Sequence, residues 1–259
     1  RPLGKMVVIQ LGGGRGIGEL AASSQTAAGR LKLRALAWLK PQFVAVAREL
    51  AEEASRYLGG VPVHIMPNGV DTERFQPAAV RKEELRSQLG WPRGLGFLYA
   101  GRFSAEKRLP WFMEIWAELI QKSGSDAFIA FVGEGPEKDF ILRAAETGRV
   151  ARKTFFHAPL EDPAPAYAAA DVFILPSVSE GLSNALLEAM SSGLAVLASR
   201  VGGTAEAVEE ARSGFLFTAG DPGDLRVQLG KLLAHPELVA AFGKAARRRV
   251  EEDYSLDSV

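Results

Sequence analysis

Two glutamates, Glu180 and Glu188, stand eight residues apart in the stretch PSVSEGLSNALLEAMSSG. A predicted strand ends near Pro176, and a predicted helix begins around Ser183 and carries Glu188 in its second turn. Both carboxylates therefore fall near the same strand end, where they are suited to bind sugar hydroxyls. The alternative is that both are surface residues, with Glu188 favoured only by its helix propensity.

The backbone between the two glutamates is a second candidate for chemistry. Ser183 and Asn184 are both good N-cap residues, so the amides of Gly181, Leu182 and Ser183 precede a helix. Unpaired amides at a helix N-terminus bind anions, with help from the helix dipole. This loop is therefore predicted to hold an anion without a cationic side chain.

A second loop, AGRFSAEKRL, carries two cations just beyond another predicted strand, which ends at Gly101. Arg102 and Lys107 follow within six residues. A guanidinium fork and an ammonium group at the mouth of a sheet suit a diphosphate. The alternative is a solvated loop in which Lys107 pairs with Glu106 or a neighbour.

A third loop, VGEGPEKD, places Gly133 and Gly135 directly after a predicted strand. Two glycines allow a tight turn, and Pro136 is suited to the start of a helix. Contact with a ligand and a plain strand-to-helix turn both fit this pattern.

These loops need strands to position them, and from residue 95 apolar segments alternate regularly with amphipathic ones. Six apolar strand segments fall between residues 95 and 218. Strands that are apolar on both faces and alternate with helices predict an α/β fold, with a doubly wound parallel sheet covered on both sides. Ligands bind at the carboxyl ends of such strands, which is where all three loops lie.

The first part of the chain contains about half of a second α/β unit. Three short strand candidates, at Met6–Leu11, Phe43–Val46 and Val63–Met66, alternate with helical segments. We therefore predict a partial N-terminal domain at residues 1–78 and a complete Rossmann-like C-terminal domain at residues 79–259.

The composition narrows the function classes. Thirty-one basic residues balance thirty-one acidic ones, so no net field favours nucleic acid as a partner. The absence of cysteine excludes disulfides and thiolate metal sites. With no apolar run long enough to span a bilayer, we expect a cytoplasmic protein without a transmembrane segment.

The stretch SEGLSNALLEAMSSGLAVLASRVGGTAEAV, with Glu180 and Glu188 in E-x7-E spacing, resembles the signature of family 4 nucleotide-sugar glycosyltransferases, which have the GT-B fold. GRFSAEKR is similar to the Gly-Arg-x4-Lys loop of that family, and MPNGVDTERFQP is similar to the segment that joins its two domains. FVGEGPE, AYAAADVFILPS and SGFLFTAGDPGDL also fall in the order of the family, and the resemblance runs from about residue 40 to the end.

This resemblance implies retaining transfer of a sugar from a nucleoside-diphosphate sugar to a sugar, lipid-linked or small-molecule acceptor, without a metal or other cofactor. It implies that Glu180, Arg102 and Lys107 are catalytic. It places the donor site at Gly101, Arg102, Lys107, Gly133, Ala158, Leu160, Glu180, Gly181, Leu182, Ser183 and Glu188.

Within that site, the resemblance gives each group a role. Arg102 and Lys107 neutralise the diphosphate, Glu188 binds the ribose, and Glu180 contacts the transferred sugar, while the base lies near His157–Glu161. The resemblance also implies that most of the N-terminal domain is missing. That leaves open an inactive fragment that binds the donor nucleotide, and a peripheral membrane contact through the missing part.

The stretch KMVVIQLGGGRGIGEL supports a different hypothesis. Gly12, Gly16 and Gly18 follow a strand candidate and fit the G-x3-G-x-G turn of short-chain NAD(P)-dependent oxidoreductases. That family also uses a Tyr-x3-Lys pair, and no tyrosine in this chain has a lysine four residues on. By their order in the glycosyltransferase family, Gly16 and Gly18 would instead lie at the interdomain cleft, where their backbone could approach donor or acceptor.

Overall fold

Two parallel sheets flanked by helices form the protein, in a computed structural model that describes residues 8–11, 20, 22–39, 41–78 and 80–259. Within those residues, the small sheet has three strands in the order β1-β2-β3: Val8–Leu11, Gln42–Ala45 and Val63–Ile65. Helices α1 (Ala27–Leu39) and α2 (Arg48–Tyr57) connect these strands. The predicted strands at residues 43–46 and 63–66 are confirmed, with ends shifted by one residue.

The large sheet is the doubly wound sheet that the sequence predicts. Its six strands in the described chain are Gly96–Ala100 (β4), Phe128–Val132 (β5), Thr154–His157 (β6), Val172–Leu175 (β7), Ala195–Ser199 (β8) and Gly214–Phe217 (β9). The spatial order is β6-β5-β4-β7-β8-β9, and every pairing is parallel. The order reverses between β4 and β7, and in open α/β sheets ligands bind at that point.

Helices cover both faces of the large sheet: one precedes its first strand, and the others follow its strands along the chain. They are Lys82–Gln88 (α3), Leu109–Ser123 (α4), Lys138–Thr147 (α5), Ala164–Ala169 (α6), Asn184–Ser191 (α7), Gly202–Ala207 (α8), Pro222–Ala234 (α9) and Pro236–Asp253 (α10). Every residue of β4, β5, β7 and β8 is buried, which explains why these segments are apolar throughout rather than alternating. Among the described helices, none combines the length and apolar character that crossing a bilayer requires.

One predicted helix needs correction. The segment TAEAVEEA predicts a helix over residues 204–211, whereas α8 begins at Gly202 and ends at Ala207. Beyond it, the Ser213 hydroxyl accepts a hydrogen bond from the Glu209 amide at 2.9 Å, and Ala211 adopts a left-handed φ of 58°. A turn stabilised by a local side chain therefore replaces the helix in spite of the helix propensity of its residues.

The segment between the two sheets is held against the large one. The Arg247 guanidinium donates to the carbonyl oxygens of Thr72 and Phe75 at 3.0 and 2.7 Å. The Ser191 hydroxyl also donates to the Phe75 carbonyl, at 2.7 Å. Val70 pairs with Ser255, just after α10. These contacts fix the path by which the chain enters the large sheet.

Candidate functional site

The reversal of strand order opens a cleft of about 990 Å³ at the carboxyl ends of the central strands. Its described lining consists of Ala100, Gly101, Arg102, Val132, Gly133, Glu134, Gly135, Lys138, Pro159, Leu160, Pro163, Tyr167, Asn184, Ala185 and Glu188. All three loops predicted from the sequence thus lie around this end of the sheet, and residues from each of them line the cleft.

Gly101 and Gly133 bring the ends of β4 and β5 close together. Their φ angles of 142° and 141° lie in the region that favours glycine. A Cβ atom on Gly133 would clash with the carbonyl oxygen of Gly101. Gly133 therefore makes the tight turn and also lines the cleft, and its contact with a ligand stays a prediction.

Arg102 is exposed at the cleft, and in the described part of the chain its guanidinium has no partner. The Arg102 backbone is anchored by the buried Tyr99, whose hydroxyl donates a hydrogen bond to the Arg102 carbonyl at 2.8 Å. Burial raises the pKa of Tyr99 far above its usual value, and the charges of Glu180 and Glu106 add to that effect. The hydroxyl therefore stays protonated and keeps donating to the Arg102 carbonyl. The Arg102 guanidinium takes no part in this contact and is available to an anion.

Lys107 and Glu180 form an ion pair that joins two of the predicted loops. Their Nζ and Oε1 atoms are 2.5 Å apart, and the side chains are only 19% and 10% exposed. The Ser177 hydroxyl donates to the same Oε1 atom at 2.5 Å. Lys107 ends a short 3-10 turn, Ala105–Lys107, which aims it across the sheet mouth. The carboxylate that the lysine contacts is thus distant in sequence.

The loop from Gly181 to Ser183 is held by its carbonyl oxygens. The Gly203 amide donates to the Gly181 carbonyl at 2.7 Å, and the Asn68 side-chain amide donates to the Leu182 carbonyl at 2.7 Å. In a trans peptide the N–H points opposite to the C=O, and the described chain has no cis bond. The amides of Leu182 and Ser183 therefore point away from those partners, and neither donates to another group in the described structure.

Ser183 also starts the helix, as predicted. Its hydroxyl accepts from the Leu186 amide at 3.4 Å, which makes it the N-cap of α7. That cap sets the direction of the helix and places Glu188 in its second turn, at the wall of the cleft.

Glu188 has a partner that the sequence did not reveal. The hydroxyl of Tyr167 donates to Glu188 Oε2 at 2.7 Å. Tyr167 is 1% exposed, and its pKa is raised well above the usual value by burial and by the neighbouring carboxylate. Tyr167 lies in the stretch AYAAAD and Asn68 in the stretch PNGVD, and both stretches stand out in the sequence. A single sequence does not show, however, that Tyr167 contacts Glu188 or that Asn68 contacts Leu182.

The remaining side of the cleft is apolar and lies beyond β6. Pro159 and Leu160 line it, whereas Ala158 is exposed beside it. The His157 side chain contacts Trp91 instead of lining the cleft, and its Nε2 accepts a hydrogen bond from the Trp91 indole at 2.8 Å. Burial lowers the pKa of His157 below 6.5. The histidine ring is therefore a packing partner of Trp91.

The predicted donor residues thus form two neighbouring groups. The lining of the cleft includes Gly101, Arg102, Gly133, Leu160 and Glu188. Outside that lining are Lys107, Ala158, Glu180, Gly181, Leu182 and Ser183, of which the Lys107–Glu180 pair and the loop after it adjoin α7. Gly16 and Gly18 lie outside the described residues. Among the described residues, no group of three or more His, Asp or Glu side chains could hold a metal ion.

Comparison with known proteins gives one consistent result. The family described as Glycosyl transferases group 1 matches residues 94–235. A sulfoquinovosyl transferase of Arabidopsis thaliana is 39% identical over 191 residues, which are 71% of this chain and 36% of that protein. A D-inositol 3-phosphate glycosyltransferase of Catenulispora acidiphila is 32% identical over 218 residues, 79% of this chain and 51% of that protein.

Solved structures agree on the fold. The Anabaena protein HepE, in complex with UDP, superimposes with a TM-score of 0.82 at 18% identity, over 98% of this chain and 70% of its own. The chain spans between about a third and a half of the two curated relatives above.

Proposed function

The chain belongs to the group 1 glycosyl transferases, and on this premise we propose that it binds a nucleoside-diphosphate sugar at the mouth of its large sheet and transfers the sugar to an acceptor. The single observation that carries the proposal is the position of Glu188 in the wall of a cleft that Gly101, Arg102 and Gly133 also line. A volume of about 990 Å³ suits a ligand of nucleotide size. We keep the division into an N-terminal domain, 1–78, and a donor domain, 79–259, as part of this proposal.

In this proposal the nucleoside occupies the part of the cleft between Leu160 and Glu188. The apolar wall made by Pro159 and Leu160 contacts the base. The Glu188 carboxylate accepts hydrogen bonds from ribose hydroxyls, because an ionised carboxylate is an acceptor with two oxygens. Glycines at the strand ends let the ligand approach the backbone closely.

The diphosphate lies between Arg102, Lys107 and the amides of Leu182 and Ser183. As the bond from the anomeric carbon of the sugar to the diphosphate breaks, its electron pair moves to the diphosphate oxygen, and these groups stabilise the charge that develops there. The acceptor hydroxyl oxygen forms the new bond to that carbon, and its proton passes to the released diphosphate. The two cations supply the charge balance that a metal ion provides in other enzymes, so the proposal includes no metal. Lys107 must exchange Glu180 for phosphate, which releases the Glu180 carboxylate to bind hydroxyls of the transferred sugar.

Retention of configuration and the class of acceptor complete the proposal. Retention rests on the resemblance of the Glu180–Glu188 stretch to a retaining family. One relative is named for D-inositol 3-phosphate, a polyhydroxylated small molecule. We propose a sugar, a lipid-linked sugar or another polyhydroxylated small molecule as the acceptor. The oxidoreductase alternative is not favoured, because the matching family and relatives are glycosyltransferases.

The test is a calorimetric panel of UDP, GDP and ADP against the chain. One series is expected to bind, with Glu188→Ala weakening it about tenfold or more through loss of charged hydrogen bonds. Arg102→Ala should weaken binding about tenfold and reduce its dependence on salt.

The matched control is Arg93→Ala, because Arg93 is an arginine with a 92% exposed side chain away from the cleft. If no nucleoside diphosphate binds, or if the Arg93 variant weakens binding equally, the donor-site proposal is wrong. Binding of NAD or NADP instead would favour the oxidoreductase. Binding of a nucleotide sugar without release of its sugar would identify a donor-binding fragment.

A further inference from the structure

We propose that Tyr167 is a positioning residue: its hydroxyl orients the Glu188 carboxylate for the nucleoside sugar, and this orientation sets the preference for ribose over 2′-deoxyribose. The inference rests on the proposed function and extends it to a residue outside the predicted set.

The contact itself is short and charge-assisted. Tyr167 Oη and Glu188 Oε2 are 2.7 Å apart, at the distance of a hydrogen bond from a hydroxyl to a carboxylate. Both residues line the cleft, so the bond forms at the ligand-binding surface rather than in a remote part of the core. In the described structure this is the one side-chain partner of Glu188.

Tyr167 is held rigidly enough to act as a reference point. Its ring packs edge-on against Phe75 at 5.6 Å and lies 6.2 Å from Phe173, with 1% of the residue exposed. Phe75 is itself fixed, since its carbonyl accepts from Ser191 and Arg247. The hydroxyl therefore cannot follow a moving carboxylate, and the carboxylate must adapt to the hydroxyl.

The carboxylate, by contrast, has a soft torsion. The last torsion of a glutamate is broad and nearly twofold, so the helix alone does not fix the plane of the carboxylate of Glu188. A donor on Oε2 selects one orientation and leaves Oε1 for a ligand. Hydrogen bonds to a sugar hydroxyl depend on that angle, and they weaken steeply when misaligned.

The burial of Tyr167 keeps this arrangement constant. Burial and the adjacent carboxylate raise the pKa of Tyr167 well above its usual value. The hydroxyl therefore remains a donor at neutral pH. The Glu188 carboxylate beside this donor presents its second oxygen to the ligand in a fixed direction.

The experiment compares one nucleoside diphosphate with its 2′-deoxy counterpart by calorimetry, using whichever of UDP, GDP and ADP binds the chain. Wild type should bind the ribose form about tenfold more tightly or better, as expected for a hydrogen bond to a charged group. In Tyr167→Phe, which keeps the ring, this ratio should fall by about threefold or more, because the carboxylate loses its fixed angle.

Tyr99→Phe is the matched control. It removes an equally buried hydroxyl at the same sheet mouth, bonded to the Arg102 carbonyl instead of Glu188. Its ratio of ribose to deoxyribose binding should remain within about twofold of the wild-type ratio. If the control lowers the ratio as far as Tyr167→Phe does, the positioning role is wrong.

The outcomes separate this inference from the proposed function. If no nucleoside diphosphate binds wild type, both are wrong. If one binds and Tyr167→Phe leaves the ratio unchanged or raises it, only the positioning role is wrong. A crystal structure of wild type with the nucleotide provides a second measurement, independent of how the variant folds. A Tyr167–Glu188 separation beyond hydrogen-bond distance there would also overturn the role.

Discussion

At the scale of the residue, two of the three predicted catalytic groups compensate each other's charge. Lys107 is paired with Glu180, and Ser177 donates to the same carboxylate oxygen. Arg102 alone among the predicted catalytic residues has no partner in the described structure. In the proposed function, the diphosphate meets the free Arg102 at once and must compete with the Glu180 carboxylate for Lys107.

Glu180→Gln tests that competition. Removing the negative charge releases Lys107 for the diphosphate, so a nucleoside diphosphate without sugar should bind about fivefold more tightly, on the order of 1 kcal/mol. Transfer from the nucleotide sugar should be lost at the same time. Calorimetry measures the first effect, and Asp139→Asn, at an exposed carboxylate of α5, is the control. Weaker binding by Glu180→Gln would show that Glu180 assists the diphosphate instead.

His157 links stability to pH. Its folded pKa lies below the ordinary 6.5 because burial disfavours the charged ring. As the pH falls, His157 therefore becomes protonated in the unfolded chain at a higher pH than in the folded protein. The stabilisation is complete above about pH 6.5 and is lost progressively below that value. In His157→Gln, the Trp91 indole keeps an acceptor, but the titrating group is gone.

Urea unfolding at pH 7.5 and 5.5 measures this effect. Wild type should lose more free energy of unfolding between the two pH values than His157→Gln does. The other histidines, His64 and His235, are present in both proteins and cancel in the comparison. An equal loss in the two proteins would contradict the shifted pKa.

At the scale of the element, the proposed site depends on the loop from Gly181 to Ser183, which hydrogen bonds to its carbonyl oxygens hold in place. The loop after β7 is anchored through its carbonyls, which Asn68 and Gly203 bind. Asn68 belongs to the segment that connects the two sheets, so this segment contacts the loop after β7. Because Ser183 is the N-cap of α7, the position of this loop also determines where α7 begins.

Asn68→Ala should therefore weaken a nucleoside diphosphate more than the corresponding monophosphate. The loop loses one anchor worth about 1 kcal/mol, and the expected loss for the diphosphate is about threefold to tenfold. Asn68→Asp should be worse, because a carboxylate would face the Leu182 carbonyl. Calorimetry with the two phosphate forms is the measurement.

Gln121→Ala provides the control for Asn68. The Gln121 amide also donates to a backbone carbonyl, that of Gly148, but on the far side of the large sheet. Its loss should leave both affinities unchanged. An equal effect on monophosphate and diphosphate in Asn68→Ala would mean that the loop amides do not meet the phosphates.

At the scale of the whole molecule, the cleft and a buried ion-pair network lie at opposite ends of the large sheet. Asp171 lies at the amino end of β7, where it accepts from Arg86 at 2.6 Å, Lys82 at 2.8 Å and the Gly96 amide at 2.7 Å. The Arg86 side chain is only 6% exposed and also binds two carbonyls. This network ties α3 to the two central strands without touching the cleft.

Asp171→Asn should lower the free energy of unfolding by about 3 kcal/mol or more, because the buried guanidinium of Arg86 loses its counter-charge. Urea unfolding measures this loss, and calorimetry at a temperature where the variant is folded should show unchanged nucleotide affinity. Glu83→Gln removes a 58% exposed partner of the same arginine and should cost less than about 1 kcal/mol. Equal losses in the two variants would contradict the central role of Asp171.

The sequence by itself determined the class of fold and the end of the sheet at which the cleft lies. Apolar segments that alternate with amphipathic ones can bury their surface only as parallel strands covered on both faces. The direction of the chain then places every strand-to-helix loop at one edge. Arg102, Gly133 and Glu188 were therefore predictable as neighbours from local pattern alone.

Only the tertiary structure decided which groups touch. Lys107 meets Glu180 across 73 residues, Asn68 meets Leu182 across 114, and Tyr167 meets Glu188 across 21. Each contact depends on the strand order, which reverses between β4 and β7, and on side-chain torsions fixed by packing. The local sequence pattern determines neither the strand order nor these torsions. Hydrophobic periodicity shows which face of a helix or strand is buried, but not which element packs beside it or where a hydroxyl points.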